Sequence, residues 1–208
     1  MMKQDFEKIE SWLKENAQKI LNLSLQKPAT VGEIKELEKA IGKSLPNDFK
    51  ELYLWHNGLN DQENFGSLFY GMDFFPVNSI VEEYIYKKEN YAPENIPLEK
   101  ADKEIDPGNM YNMDWIKFAF DGSHTSLLID LAPTSQGNYG QIIFIDDEYK
   151  TGILVAGSTA ELIKSFKNDL ENNLYQLDED ALEDENHYLT ADQKIDLVNW
   201  ETSEIWKR

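Results

Sequence analysis

Two apolar segments joined by a short polar turn constrain the fold of this chain more than any other part. The first covers residues 115–120 and the second residues 127–133, with Asp121 and Gly122 opening the turn between them. Aromatic and aliphatic runs separated by Asp-Gly are typical of two antiparallel strands in a buried sheet. Asp121 and Asp130 lie where a strand meets a loop, so each is expected to fix a turn or to face a ligand.

The same pattern continues along the chain and predicts a four-stranded unit. Strands are predicted over residues 115–121, 126–131, 139–146 and 151–155. The connections between them are too short for helical crossovers, so we expect an antiparallel meander. Residues 67–77, rich in aromatic side chains, also have β-like composition.

Helix starts are predicted from capping boxes. In a capping box, a hydroxyl side chain accepts from the backbone amide three residues on, and the carboxyl or amide side chain of that later residue accepts from the backbone amide of the first. Four such pairs occur: Thr30 with Glu33, Ser79 with Glu82, Ser158 with Glu161, and Thr190 with Gln193. Apolar spacing then predicts helices over about 5–23, 31–41, 46–58, 80–88, 158–174 and 191–206. Residues 91–114 lack periodicity and are interpreted as a long loop that is either functional or mobile.

Composition places this chain among globular proteins. Its 208 residues are 41% hydrophobic and 12% aromatic, enough for one domain of good size with an appendage. No apolar run has the roughly 20 residues of a membrane helix, and the N-terminus does not resemble a signal peptide. Cysteine is absent, which excludes disulfides and thiolate metal sites. We therefore expect a cytoplasmic protein that does not enter a membrane.

The formal net charge of -19 is distributed unevenly along the chain. Residues 1–60 carry nine lysines and nine acidic residues, whereas residues 61–174 carry eight lysines against 20 acidic residues. Residues 175–208 add three basic and ten acidic residues. Such a field repels nucleic acid and anionic membranes and attracts basic proteins. An acidic surface on one side of the molecule is the functional interpretation, and general solubility is the alternative.

Motifs of catalysis are not found in the sequence. It has no phosphate-binding loop, nucleophile elbow, zinc-protease helix or dinucleotide fingerprint. Residues 102–113 weakly resemble a calcium loop, but Pro107 and Met113 replace the required glycine and bidentate ligand. The acidic run Asp146, Asp147 and Glu148 is interpreted as a plain turn in preference to a weak cation site. We predict no catalytic residue, cofactor or metal.

Single candidates each have a structural alternative. His56 lies on the apolar stripe of its helix and is expected to be a hydrogen-bonded core residue, while Trp55 is either a core residue or an exposed anchor. His124 is expected to be exposed in the hairpin turn. Asp121 is assigned to turn chemistry and Asp130 to capping loop amides.

Two blocks of the sequence resemble the SUKH superfamily, the group that includes the yeast cell-wall-synthesis regulator and many bacterial proteins. The matching positions are Thr30–Glu38, Ile41-Gly42, Leu45–Lys50 and His56-Asn57-Gly58 in the first block, and Phe118-Ala119, Asp121-Gly122, Leu128, Asp130, Pro133, Gly140 and Ile142-Ile143 in the second. The resemblance covers about residues 25–174. Where the family often has a further glycine after Asp-Gly, this chain has Ser123 and His124.

The resemblance implies an α+β fold with a central, mostly antiparallel sheet flanked by helices. We expect a single domain of this kind over residues 1–174, followed by an acidic C-terminal extension over 175–208. The two tryptophans of the helix predicted in this extension indicate that it docks, on its own domain in preference to a partner. The resemblance also implies protein binding in place of catalysis. The bacterial relatives are similar to immunity proteins, so the main hypothesis is a protein that neutralises a nuclease-type toxin.

The expected partner is therefore a basic protein, such as a toxin domain, with no nucleic acid and no membrane; the oligomeric state is left open. The predicted contact residues are Trp55, Tyr70, Asp121, His124, Asp130, Tyr139, Asp146, Asp147 and Glu148, with Trp115 as a further candidate anchor. A regulatory or scaffold protein, as the eukaryotic relatives suggest, is the alternative. An enzyme would need a deep pocket converging on Asp121, His124 and Asp130.

Overall fold

The computed structural model describes residues 2–60, 62, 66–91 and 93–208. The helices are α1 (Met2–Asn16), α2 (Val31–Ile41), α3 (Asn47–Trp55), α4 (Val77–Asn90), α5 (Thr159–Glu171) and α6 (Glu179–Glu183), with a π-helical turn at Ile20–Ser24 and a 3₁₀ turn at Phe69–Gly71. The strands are β1 (Asp73–Phe74), β2 (Lys100–Ala101), β3 (Trp115–Phe120), β4 (Thr125–Asp130), β5 (Gln141–Asp146), β6 (Thr151–Ala156), β7 (Tyr175–Leu177) and β8 (Leu189–Ala191).

Six strands form the central sheet in the order β1-β3-β4-β5-β6-β2. The predicted antiparallel meander of β3, β4, β5 and β6 is confirmed, and β1 adds to it in the same antiparallel sense. Only the two-residue pairing between β2 and β6 is parallel. Helices flank this sheet, so the α+β prediction is confirmed. The strands β7 and β8 form a separate antiparallel pair.

One face of the sheet is covered by helices, and we call it the helix-covered face. Phe118, Leu127, Ile129 and Phe144 project from the strands into the main hydrophobic cluster. Amphipathic helices cover this cluster. Their apolar residues recur at helical spacing and so form one continuous stripe that faces the sheet, to which Leu37 of α2 belongs. Every one of these side chains has at most 1% of its surface exposed.

The opposite face is covered by residues 93–114, and we call it the loop-covered face. Leu98, Ile105 and Met110 of that segment are buried against strand residues such as Leu128 and Ile143 in a second, smaller cluster. The segment has almost no regular structure, which explains the absence of periodicity in its sequence. The predicted long loop is thus a packed cover over the sheet.

Side-chain caps agree with the sequence at two of the four predicted helix starts. Thr30 and Glu33 form the full reciprocal box, while Ser158 accepts from the amide of Glu161 at 3.2 Å. The predicted helix start at Ser79 is wrong, because α4 begins earlier, at Val77. The amide of Val77 donates to the side chain of Asn57 at 2.9 Å.

The predicted helix over residues 191–206 is wrong. Thr190 lies in β8, and the residues after it form tight turns in which an amide bonds to the carbonyl three residues before, as in Ile195 to Asp192. The side chains of Asp192 and Asp196 accept from the amides of Lys194 and Asn199. Such local bonds compete with a helix. We call residues 192–208 the C-terminal strap.

The C-terminal strap packs against the rest of the chain. Its Trp200 is 4% exposed, and the ring of Trp206 meets that of Tyr70 edge-on with centroids 6.1 Å apart. Arg208 forms a two-pronged ion pair with Asp102 at 3.1 and 3.0 Å. Residues 178–185, an acidic run before the strap, contain the short helix α6.

The first predicted helix is shorter than expected, because α1 ends at Asn16 and a π-helical turn follows. In the part of the chain that the structure describes, none of the helices has the length and apolarity needed to span a bilayer.

Candidate functional site

Two hairpin turns meet at one end of the central sheet and bring five of the predicted contact residues together. The β3–β4 turn contains Asp121 and His124, and the β5–β6 turn begins with Asp147 and Glu148. Because Thr125 pairs with Asp146 in the register of β4 and β5, the two turns lie side by side. We call the group Asp121, His124, Asp146, Asp147 and Glu148 the acidic sheet end.

Asp121 organises the first turn. Its Oδ1 atom accepts from the backbone amides of Ser123 at 2.8 Å and Thr125 at 3.0 Å. Gly122 has a φ of 84°, a left-handed conformation that L side chains rarely adopt. The assignment of Asp121 to turn chemistry is confirmed.

His124 links the two turns. Its carbonyl accepts from the amide of Asp147 at 3.1 Å, and its Nε2 atom lies 3.8 Å from a carboxylate oxygen of Glu148 and 4.0 Å from one of Asp146. The side chain is 32% exposed, so the ring is half-buried between carboxylates and not fully exposed as predicted.

Asp146 lies beneath this surface. Its side chain is 1% exposed and holds two other elements: Oδ1 accepts from the amide of Tyr149 and Oδ2 from the indole N–H of Trp200, both at 2.9 Å. Asp146 therefore anchors the C-terminal strap to the sheet and does not reach the surface. Its burial removes it from the set of exposed contact residues.

Two groups at or beside the acidic sheet end, Asp147 and Tyr149, have raised pKa values. The pKa of Asp147 is raised, mainly because burial penalises its charged form, and Asp146 and Asp121 add to the shift against His124 and Lys117. The pKa of the exposed Tyr149 is raised by Glu201 and Glu148. The local potential is thus negative, which favours a cationic group from outside.

The remaining predicted residues lie elsewhere in the molecule. Trp55 stacks on Phe6 with ring centroids 4.5 Å apart, and its indole N–H donates to Glu10 at 2.6 Å. Tyr139 is 53% exposed, and its hydroxyl donates to the carbonyl of Ser44 at 2.6 Å. His56 bonds to the Gln26 carbonyl at 2.6 Å, as expected of a hydrogen-bonded core histidine.

Three other candidates are buried. Tyr70 has an unusual positive φ of 54°, and its amide donates to the Tyr175 hydroxyl. Trp115 is buried in the second cluster. Asp130 accepts from the amide of Ala132 and from Gln141, both at 2.8 Å, so it caps loop amides as expected, and burial raises its pKa. The structure does not bring these residues to the acidic sheet end.

Within residues 2–60, 62, 66–91 and 93–208, the structure shows no cluster of three or more histidine and carboxylate side chains able to hold a metal ion. The carboxylates of the acidic sheet end point to backbone amides, to Trp200 and to solvent. This arrangement suits the binding of a cationic surface.

Sequence reasoning missed the contribution of the C-terminal strap and of α4. Trp200 and Glu201 reach the acidic sheet end only through the tertiary structure, and a pattern within one sequence gives no signal for that. Lys87, on α4, lies close to the same end. Tyr149 could have been found, since it follows directly on the acidic turn.

The chain matches the model of the SMI1 / KNR4 family (SUKH-1) over residues 28–165. Relatives include "KNR4/SMI1 homolog 2" of Debaryomyces hansenii, which is 27% identical over 84% of this chain and 36% of its own length. The "Cell wall biosynthesis/cell cycle regulator smi1" of Schizosaccharomyces pombe is 27% identical over 85% of this chain and 38% of its own length. The "Cell wall assembly regulator SMI1" of Saccharomyces cerevisiae is 24% identical, over 84% and 41% respectively.

The match spans the helices and strands on which the SUKH resemblance rests, and that resemblance is confirmed. The chain spans about two fifths or less of the length of these three relatives. The names of the Schizosaccharomyces pombe and Saccharomyces cerevisiae relatives describe regulators.

Proposed function

The chain belongs to the SMI1/KNR4 family, and we propose that it is a non-catalytic regulatory module that binds a basic protein through the acidic sheet end. The relatives' names support the regulatory part of this proposal. The toxin-neutralising hypothesis, based on the bacterial branch of the superfamily, is not supported by these relatives, which are fungal regulators. The regulatory alternative fits them better.

The observation that carries the proposal is the group of carboxylates at the acidic sheet end without lysine or arginine partners. Glu148 is 63% exposed and faces only His124, and neither Asp147 nor Glu201 forms an ion pair with a lysine or arginine among the described residues. Lys117 on β3 and Lys150 in the β5–β6 turn form ion pairs with other carboxylates, Glu83 at 3.2 Å and Glu99 at 3.1 Å respectively. Complementary charge of this kind speeds association and selects the partner.

The non-catalytic part of the proposal is supported by what the titratable groups bind. Asp121 holds turn amides, Asp146 holds the strap, and the Nε2 atom of His124 faces the carboxylates of Glu148 and Asp146. Ser123 is bonded to the Nδ1 atom of His124 at 2.9 Å, but it is an exposed residue in a turn.

A charge-reversal experiment tests the proposal. The chain is expressed with an affinity tag in cells of its source organism, and stoichiometric partners are quantified for the wild type and for Asp147→Lys/Glu148→Lys. We expect a partner with a basic surface whose recovery falls at least about tenfold in the variant, since rim charges of opposite sign are replaced by repulsive ones. The loss should weaken as salt rises, because exposed charges are screened.

Glu183→Lys/Asp184→Lys is the matched control, because it reverses two adjacent, exposed carboxylates at the C-terminal end of α6 that lie outside the acidic sheet end. This control is expected to retain the partner. Equal loss in both variants would show non-specific attraction and would overturn the proposal. So would a stoichiometric partner that both variants retain.

A further inference from the structure

A cavity of about 180 Å³ opens between α4 and the loop-covered face of the sheet. Its floor is apolar, formed by Met110, Trp115, Leu128 and Ile145. Its walls include the side chains of Tyr84, Tyr86, Tyr91 and Tyr111. A cavity of about 150 Å³ lined by apolar groups is large enough for a benzene ring. The volume therefore matches one aromatic side chain.

The tyrosines form a rigid aromatic edge. Tyr91 stacks on Tyr111 with centroids 4.5 Å apart, and Tyr86 meets Tyr91 edge-on at 5.9 Å. Tyr86 is 54% exposed, so the cavity presents an aromatic ring to solvent. Rings held in this way offer faces and edges to a further ring.

Lys87 supplies a hydrogen-bonded amino group in the wall. Its Nζ atom donates to the carbonyls of Asn112 at 2.7 Å and Trp115 at 2.8 Å, which fixes its position. Among the residues that the structure describes, no carboxylate lies within 4.0 Å of this nitrogen in an ion pair. When protonated, this amino group favours the face of an aromatic ring over an aliphatic chain.

The cavity is continuous with the acidic sheet end. His124 and Asp147 belong to that end and also line the cavity. A peptide segment that places basic residues against Asp147 and Glu148 would therefore pass the cavity mouth. Interfaces commonly gain their affinity from an aromatic anchor in such a pocket, with charges around it.

Resting on the proposed function, we infer that this cavity receives an aromatic side chain of the basic partner, flanked in the partner's sequence by lysine or arginine. The ring would lie against the tyrosines and the Lys87 amino group, and the flanking cations would face the acidic sheet end. Apolar burial would then supply the affinity that charge alone does not provide.

Short peptides test this inference without the natural partner. Acetyl-Lys-Phe-Lys-amide and acetyl-Lys-Leu-Lys-amide are titrated into protein labelled on methionine, leucine and isoleucine methyl groups. We expect saturable shifts of the Met110, Leu128 and Ile145 methyl signals, and binding of the phenylalanine peptide about fivefold tighter than that of the leucine peptide.

Leu128→Phe places a ring in the cavity from its floor, and Ile85→Phe adds the same ring outside it as the control. The first variant is expected to abolish the methyl shifts and the second to retain them, with circular dichroism melting used to show that both are folded. Binding of the two peptides with equal affinity, or unchanged binding to Leu128→Phe, would overturn the inference.

Failure of this inference and failure of the proposed function are distinguishable. If the natural partner is lost by Asp147→Lys/Glu148→Lys but retained by Leu128→Phe, the proposed function stands and the aromatic anchor is wrong. If the phenylalanine peptide fills the cavity with the expected preference while no basic partner is captured, the cavity is a ring-binding site and the proposed function is wrong.

Discussion

The two faces of the central sheet are closed by different kinds of structure. On the helix-covered face, α1, α2, α3 and α5 supply side chains to one large cluster in which Phe118 and Phe144 are completely buried. On the loop-covered face, a segment without regular structure supplies only a few apolar side chains, and the cavity remains beside them. The first face is built for stability, while the second leaves room for a ligand, as expected of binding regions.

The largest expected effect comes from removing one large side chain on each face. Phe144→Ala should cost about 3–5 kcal/mol of unfolding free energy, because it leaves a cavity in a closely packed cluster. Leu128→Ala, on the loop-covered face, should cost about 2 kcal/mol, since its neighbours already border open space. Urea denaturation followed by fluorescence measures both values. Equal costs would contradict the proposed difference in packing.

A titration on the helix-covered side gives the next largest effect. Burial raises the pKa of Asp169, on α5, to about 6. Between pH 4 and pH 6 the unfolded chain has lost this proton while the folded chain retains it, so stability falls as pH rises. Asp169→Asn should remove this fall, roughly 1–2 kcal/mol because the carboxyl is partly solvated. Urea denaturation at pH 4.5 and 7.5 measures it, and an unchanged pH dependence would contradict it.

Lys87, on the loop-covered side of the sheet, should make stability change with pH in the opposite direction. Burial, with Lys117 nearby, lowers the pKa of Lys87 to about 7. Above pH 7 the folded chain releases this proton before the unfolded chain does, so stability rises with pH up to about 10. Lys87→Gln keeps donors for the two carbonyls and should flatten this rise, on the order of 1 kcal/mol. Thermal melting between pH 7 and 9.5 tests it, with Lys88→Gln, an exposed neighbour, as control.

The cover of the loop-covered face should open without global unfolding. The Asn109 side chain holds it by accepting from the amides of Ile96 and Tyr111 and donating to the Glu94 carbonyl. Asn109→Ala should cost about 1 kcal/mol and increase hydrogen exchange at residues 94–111 specifically. Hydrogen exchange measured by mass spectrometry tests this prediction. An equal fall in protection across the strands of the central sheet would contradict the proposed difference between the two faces.

The smallest effect concerns a helix start on the helix-covered face. Thr30→Ala removes a complete capping box and should cost about 1 kcal/mol. Ser79→Ala, in the pair that resembles a box but lies inside α4, should change stability by less than about 0.5 kcal/mol. The same denaturation assay measures both, and a larger loss for Ser79→Ala would show that the sequence pattern, and not the observed cap, determines the start of α4.

Local rules predicted the regular part of the fold well. The meander follows from short connections between apolar runs, and α2 follows from Thr30 and Gly42, because these signals act within a few residues. The C-terminal strap could not be predicted in this way. Its tryptophans suggested an amphipathic helix, but the Asp192 and Asp196 side chains bond to the backbone and its shape is set by what it packs against.

The candidate site was predictable only in part. Asp121, His124, Asp147 and Glu148 are brought together because both turns lie at one sheet end, which the predicted meander already required. The burial of Asp146 depends on Trp200, which is 54 positions away in the chain. Lys87 and the tyrosines of the cavity come from α4 and the irregular segment, whose packing leaves no periodic signal in one sequence.

The two shortest strands in the central sheet have a consequence for solubility. Each is only two residues long, yet β1 occupies the outer side of β3 and β2 the outer side of β6, so two residues of each border strand of the meander are paired. Unpaired borders are where chains join edge to edge into aggregates. Because β2 is part of residues 93–114, loosening that segment would uncover the border of β6. Edge-to-edge aggregation would then begin at β6 and not on the helix-covered face.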